Sequence, residues 1–328
     1  MHATARFLLG ATSALALTGA LCCNAQAQTW PDRPIRLVVG GPPGASADFL
    51  ARLTAEKVGK GLNANFVVEN RPGAGGVVAV KATITSKPDG YTFLMLFSDN
   101  VLIAPFMQKV QPYDPLKEVA YVGAMARSWP FILTVNPGVA ARTLDEFIKL
   151  AKSGAKKVSY SSYGLGSLPQ LGYESLAQRV GMELVHAPYK GGAESYQAAV
   201  AGDVDSVAGT SFIALVKSGK LRPLAIGGAK RSANFPEVPT FAELGYGDQI
   251  FLGPIFGIVA PPGLPQNITD RFSAELKNMT TAPDLPERLA TVASEPFYAS
   301  SEEMTRLMRE GVATNLPLIR KLGLANTQ

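Results

Sequence analysis

Cysteine occurs only at Cys22 and Cys23, histidine only at His2 and His186, and charged residues make up just 17% of the 328-residue chain. Globular chains average about 25% charge. The hydrophobic share is an ordinary 47%, so the shortage of charge does not signal disorder. Basic residues exceed acidic ones by 31 to 26, a net +5, and no Lys/Arg block is longer than two. Nucleic acid is therefore not expected as a partner. Long apolar runs are missing after the first 27 residues, since Ile250–Ala260 is broken by Pro254 and stopped by Pro261-Pro262. Glycine (32) and proline (24) are plentiful and imply many tight turns between short elements. At roughly 150 residues per domain, the length suggests two domains.

Residues 1–27 read as a cleavable signal peptide. Arg6 precedes an apolar, small-residue stretch from Phe7 to Leu21, and Ala25-Gln26-Ala27 is an A-x-A site, placing cleavage after Ala27. The apolar stretch is shorter than the roughly 20 residues a membrane span needs. Neither Cys22 nor Cys23 follows a small residue, so lipidation is the minority reading. Cleavage removes both cysteines, which excludes disulfides, thiol catalysis and Cys-based metal sites from the exported chain. In a bacterium the destination is the periplasm.

Strand-like and helix-like segments alternate throughout, which predicts an α/β fold. Strands are expected at Ile35–Val39, Asn65–Glu69, Thr92–Phe97, Phe131–Val135, Val158–Ser162, Glu183–Ala187, Val204–Ala208 and Leu221–Ile226, with a long extended segment at Ile250–Ala260. Helices are expected at Ser46–Gly59, Leu144–Ala151 and Leu168–Val180, and two more near the chain end. Thr143 with Glu146, and Ser300 with Glu303, have capping-box spacing.

Two strand–glycine loop–helix units share one form. Val39 leads through Gly40-Gly41-Pro42-Pro43-Gly44-Ala45 into a helix at Ser46, and Ser162 leads through Tyr163-Gly164-Leu165-Gly166-Ser167 into a helix at Leu168. A helix start offers unpaired N–H groups and partial positive charge, and glycine lets a ligand approach the backbone. Two such starts could clamp both ends of a dicarboxylate without Lys or Arg. The plainer alternative makes Ser46 and Ser167 ordinary N-caps of βα loops.

Other chemistry is poorly served. Gly164-Leu165-Gly166 lacks the third glycine of a dinucleotide fingerprint, having Pro169 there, and no phosphate loop occurs. Ser98-Asp99-Asn100, Ser153-Gly154-Ala155-Lys156 and Lys217-Ser218-Gly219 imitate penicillin-interacting motifs in the wrong order. One histidine beyond the leader, no cysteine and the isolated pair Asp203/Asp205 make no metal set. No cofactor is expected.

Several motifs in order resemble one family: Trp30-Pro31-Asp32-Arg33-Pro34-Ile35, Pro43-Gly44-Ala45-Ser46-Ala47-Asp48, Val68-Glu69-Asn70-Arg71-Pro72-Gly73, Pro88-Asp89-Gly90-Tyr91-Thr92, Ala187-Pro188-Tyr189-Lys190-Gly191-Gly192, Gly219-Lys220-Leu221-Arg222-Pro223 and Val238-Pro239-Thr240-Phe241. They are similar to the substrate-binding proteins of tripartite tricarboxylate transporters, the TctC-like Bug family of extracytoplasmic receptors. The resemblance runs from about Trp30 to Leu322. It implies a two-lobed periplasmic binding protein of type II, a Venus flytrap of two Rossmann-like lobes joined by a hinge. Lobe 1 would comprise 28–130 and 251–328, and lobe 2 would be 131–250. It also implies a non-catalytic, monomeric receptor that passes a small carboxylate to integral membrane subunits.

Carried over residue by residue, the ligand contacts are Pro43, Gly44, Ala45, Ser46 and Asp48 in the first loop, and Tyr163, Gly164, Gly166, Ser167 and Leu168 in the second. Gly209, Thr210 or Ser211 would supply a third contact, and Ser98 is a further candidate. Departures from the family pattern, Gly40-Gly41 in place of an aromatic and Leu168-Pro169 in place of a polar stretch, favour an aromatic or longer aliphatic carboxylate. A ligand sensor for a signalling system and a periplasmic hydrolase using Ser167 or His186 are the competing readings.

Overall fold

The computed structural model describes residues 30–210, 213–247 and 250–325. In chain order the first elements are β1 (Ile35–Val39), α1 (Ser46–Leu62), β2 (Phe66–Asn70), a 3-10 turn at Ala74–Gly76, α2 (Val77–Ile84), β3 (Thr92–Phe97), α3 (Asp99–Leu102), α4 (Ala104–Met107) and β4 (Ala120–Ser128). The middle contains β5 (Ile132–Val135), α5 (Leu144–Lys152), β6 (Val158–Ser162), α6 (Leu168–Val180), β7 (Leu184–Pro188), α7 (Gly192–Ala201), β8 (Ser206–Gly209), α8 (Ile213–Lys217) and β9 (Arg222–Ile226). The last part adds β10 (Ile255–Ala260), α9 (Gln266–Thr280), α10 (Leu285–Ala290), β11 (Ser294–Ala299) and α11 (Ser301–Lys321).

These strands form two sheets, ordered β11-β4-β10-β3-β1-β2 and β7-β6-β8-β5-β9. β1 lies parallel between β2 and β3, with Ile35 opposite Phe66 and Val38 opposite Leu94. β6 lies parallel between β7 and β8 in the same way, with Tyr160 opposite His186 and Ser206. The orders β2-β1-β3 and β7-β6-β8 are thus copies of one arrangement. In each, the segments that follow two adjacent strands leave to opposite faces, α1 after β1 and α3 after β3 in one sheet, α6 after β6 and α8 after β8 in the other, which opens a crevice at the strands' carboxyl ends.

Helices cover both faces of the first sheet, so its strands are apolar without alternation. Ile35, Leu37, Val39, Phe93 and Met95 face the core shared with Leu50 and Leu53 of α1 and Phe272 and Leu276 of α9. Val38, Leu94 and Leu96 face Val80, Val101, Met304 and Met308 on the other side. Phe272 sits 4.6 Å from Phe93 and 6.1 Å from Phe66, centroid to centroid. Burying each such side chain contributes about 1.5–3 kcal/mol. The second sheet packs Leu133 and Val135 against Phe147, Tyr173 and Phe241, and packs Ile132, Val207 and Ile226 against Leu221 and Phe235.

The chain passes between the sheets twice, from Ser128 to Ile132 and from Phe251 to Ile255. The two crossings are bonded to each other, Ser128 N–H to the Pro254 carbonyl and Phe131 N–H to the Phe251 carbonyl. This corrects the expected extended segment Ile250–Ala260, of which only Ile255–Ala260 is strand. Phe251 has φ 58°, outside any strand geometry, and a side chain at Gly253 would meet the Trp129 carbonyl. The strand expected at Val204–Ala208 begins instead at Ser206: Asp203 N–H closes the end of α7 on the Ala198 carbonyl, and Asp205 N–H goes to Ser159 Oγ. Ser300 and Glu303 form the full capping box, whereas Glu146 turns its carboxylate to the Arg142 N–H and leaves only half a box with Thr143.

Candidate functional site

All the loops singled out in the sequence lie at the carboxyl ends of the switch-point strands. The first follows β1, Ser98 follows β3, the second follows β6 and Thr210 follows β8.

In the first loop Gly44 takes φ 80°, and its N–H donates to Asp48 Oδ2 at 3.0 Å. Buried Asp48 also accepts from Arg52 Nε (3.1 Å) and Nη2 (3.0 Å) and from Asn70 Nδ2 (3.0 Å). Burial alone would raise its pKa, but the bonds from Arg52, Gly44 and Asn70 outweigh burial and hold the carboxyl below its usual range. Asp48 therefore shapes the loop. The N-cap is Ala45, not Ser46, and the first intrahelical bond runs from Phe49 N–H to the Ala45 carbonyl. The N–H groups of Ser46, Ala47 and Asp48 precede that bond and point out of the helix start, beside the Ser46 hydroxyl. Pro43 lies exposed in the same loop.

The second loop is organised differently. Gly164 (φ 138°) donates its N–H to Ser162 Oγ at 3.2 Å, and Gly166 (φ 74°) donates to Gln170 Oε1 at 2.9 Å. Ser167 occupies the N-cap position of α6, yet its hydroxyl donates back to the Gly164 carbonyl. Leu168 N–H donates at 2.8 Å to Oδ2 of Asp99, which stands at the start of α3 under the other sheet. Tyr163 Oη donates to the same oxygen at 2.7 Å. Burial, countered only in part by these two donors and the residue's own backbone N–H, pushes the Asp99 carboxyl up to about 6.

The crevice is drawn together around this loop. A Cβ at Gly166 would lie 2.9 Å from Ala104 Cα, and one at Gly75 would lie 2.9 Å from the Leu165 carbonyl oxygen. Across from the first loop, a Cβ at Gly191 would sit 3.6 Å from Pro42 Cγ. Ser98 Oγ accepts from Ile255 N–H at 3.2 Å, tying β3 to β10. Thr210 is buried at the end of β8, and Ser211 lies outside the described residues.

Asp99, Asn70, Ser162 and Gln170 are the polar groups that sequence reasoning left out of the site. Ser98-Asp99-Asn100 is conspicuous only as a false enzyme motif, and nothing local marks its middle residue as facing α6.

His186 pairs with Ser162, not Ser167, with Nε2 2.7 Å from Oγ, and stacks on Tyr160 at 4.8 Å. Burial lowers its pKa to about 4, below the unfolded value near 6.5. The unfolded chain then takes up the proton first, so the stability present above pH 6.5 is lost as the pH falls toward 4. A His186→Gln variant lacks this loss. The Tm difference between native protein and variant should therefore shrink steadily from pH 7 to pH 4, and a constant difference would contradict the assignment.

Residues 50–324 match the Tripartite tricarboxylate transporter family receptor family. The chain belongs to that family. The UPF0065 protein in the gbd 5' region of Cupriavidus necator is 38% identical to the receptor over 322 residues, covering 98% of this chain and 97% of the relative. The periplasmic binding protein BugD superposes with TM-score 0.81 at 27% identity over 90% of this chain and 99% of its own. A Rhodopseudomonas palustris protein solved with adipate gives TM-score 0.82 at 27% identity, over the same shares. The fold is that of the two-lobed α/β periplasmic binding proteins. Proteins of this family are periplasmic solute-binding receptors and not enzymes, which disposes of the hydrolase reading. Among the described residues no helix is long and apolar enough to cross a membrane, and no group of three His, Cys, Asp or Glu could hold a metal ion. The cleavage site at Ala27 and both cysteines lie outside the described residues.

Proposed function

We propose that this receptor captures a small carboxylate in the crevice between the two sheets and delivers it to the integral membrane subunits of a tripartite transporter. The observation that carries this reading is the start of α1, whose leading N–H groups follow a glycine loop at the carboxyl end of a switch-point strand, with a second glycine loop at the matching place in the other sheet. The Ser46 and Ala47 N–H groups with the Ser46 hydroxyl are the anion contact in lobe 1, and Tyr163 and Thr210 line the opposite wall. Lobe 1 is 28–130 with 251–328, and lobe 2 is 131–250. The hydrogen-bonded crossings act as the hinge, and the monomer reaches the periplasm after cleavage at Ala27. A carboxylate ligand also agrees with the relative solved with adipate.

A thermal-shift screen of the chain from Gln28 onward tests the reading. Its panel spans aliphatic mono- and dicarboxylates, citrate, benzoate, phthalates, nicotinate and acidic amino acids. A ligand at a hundred times its Kd stabilises the fold by about 2.7 kcal/mol. At least one carboxylate is expected to give that shift. Silence across the panel, with no small molecule released on denaturation and found by mass spectrometry, would refute it.

A further inference from the structure

We infer that Asp99 is a built-in carboxylate occupying the anion site at the start of α6, so that the ligand's far end must present a hydrogen-bond donor instead of a second carboxylate. The inference rests on the carboxylate-receptor reading and specifies the substrate class.

Three N–H donors of the second loop and the α6 start are already committed within the protein. Gly164 N–H goes to Ser162, Gly166 N–H to Gln170, and Leu168 N–H to Asp99. Position 169 is proline and has no N–H to offer, so the first turn of α6 has little left for a ligand anion. Asp99 holds its place across the seam from 69 residues away in sequence, with Oδ2 bonded to both Leu168 N–H and Tyr163 Oη.

Its second oxygen decides the chemistry. Asp99 is 1% exposed, and Oδ1 is buried with no hydrogen-bond partner. A buried polar atom left unpaired is destabilising and rare in native proteins. The two oxygens share one carbon, so Oδ1 lies in the same inter-lobe seam as the bonds of Oδ2. No Lys or Arg is among the groups that act on this carboxylate. A ligand carboxylate brought to Oδ1 would set two like charges side by side in a poorly solvated seam, whereas an amide, ammonium or hydroxyl would satisfy the oxygen. The substrate class is therefore a monocarboxylate whose other end carries an N–H or O–H donor.

Matched pairs of diacid and half-amide provide the test, because each pair keeps shape and length and exchanges one acceptor for a donor. Isothermal titration would compare succinate with succinamate, the longer aliphatic pairs to eight carbons, and phthalate and terephthalate with their half-amides. The native receptor should bind the half-amide of its best-fitting pair at least tenfold tighter than the diacid. Asp99→Asn keeps an acceptor for Tyr163 and Leu168 and places an NH2 donor where Oδ1 stood, so the preference should reverse. Asp99→Ser, which shortens the side chain and removes the charge, should erase the preference and guards against misfolding of the first variant. If the diacid binds the native protein as well as the half-amide, or if Asp99→Asn weakens both members of a pair equally, the inference is overturned and the receptor reading stands. If no member of any pair binds, the inference falls, and the broader carboxylate screen decides whether the receptor reading falls with it.

Discussion

Replacing Gly166 with valine is expected to weaken ligand binding by at least a hundredfold while each lobe remains folded. Gly166 has φ 74°, a conformation that strains a β-branched residue, and its Cβ would stand 2.9 Å from Ala104 Cα and 3.5 Å from Ala104 N. These are main-chain atoms of the opposing lobe and cannot swing away. With the lobes apart the contact is absent, so the clash penalises closure, while the backbone strain is carried with the lobes open or closed. A hundredfold loss corresponds to about 2.7 kcal/mol, well within what a main-chain clash removes. Lowering the population of the closed state raises the apparent Kd in proportion. Gly44, which the sequence makes look equivalent, has φ 80° but nothing within 4 Å of its Cβ, so Gly44→Ala should carry backbone strain only. Titration calorimetry beside circular dichroism separates the two, and an unchanged affinity in Gly166→Val would show that closure does not bring this loop to Ala104.

The second large effect is on stability. Phe251→Ala should destabilise the protein by about 3–5 kcal/mol, as large aromatic truncations in cores do. The ring is buried, lies edge-on to Tyr173 at 5.2 Å and stacks on Phe241 at 5.1 Å. Gly172 is bare on the facing helix because a Cβ there would come 2.6 Å from this ring. Alanine would leave a cavity between Tyr173 and Phe241 without relieving the positive φ at position 251. Urea denaturation is the measurement, and a loss below about 1 kcal/mol, the size of an ordinary surface change, would contradict this account.

The sequence makes β3, β6 and α6 legible to the residue. Their β-rich runs are bounded by turn residues, and Ser167 and Gly181 bracket α6. Other elements hide. β4 mixes four alanine and glycine residues with Tyr121, Val122 and Met125 and is buried on both faces, so it shows no alternation. β11 contains Pro296, which argues against a strand and is accommodated at the edge of the sheet. α2 opens with Val77-Val78-Ala79-Val80, a β-branched run that packing turns into helix. The glycine loops announce themselves because positive φ leaves its mark on composition. Asp99 does not, since its meaning depends on α3 meeting α6, and no local pattern records that meeting.

The place of β10 in the first sheet constrains the order in which the molecule is built. It is an inner strand, flanked by β3 and β4, yet it is synthesised only after all of β5–β9. A chain delivered amino-terminus first therefore holds β3 and β4 without their shared neighbour until residue 255 arrives, while everything the second sheet needs is already present. The later-coded lobe is finished first and the earlier-coded one last. Until then β3 and β4 expose open edges able to pair with another chain. A nascent receptor stalled before Ile255 is thus a sound second lobe attached to an aggregation-prone half of the first.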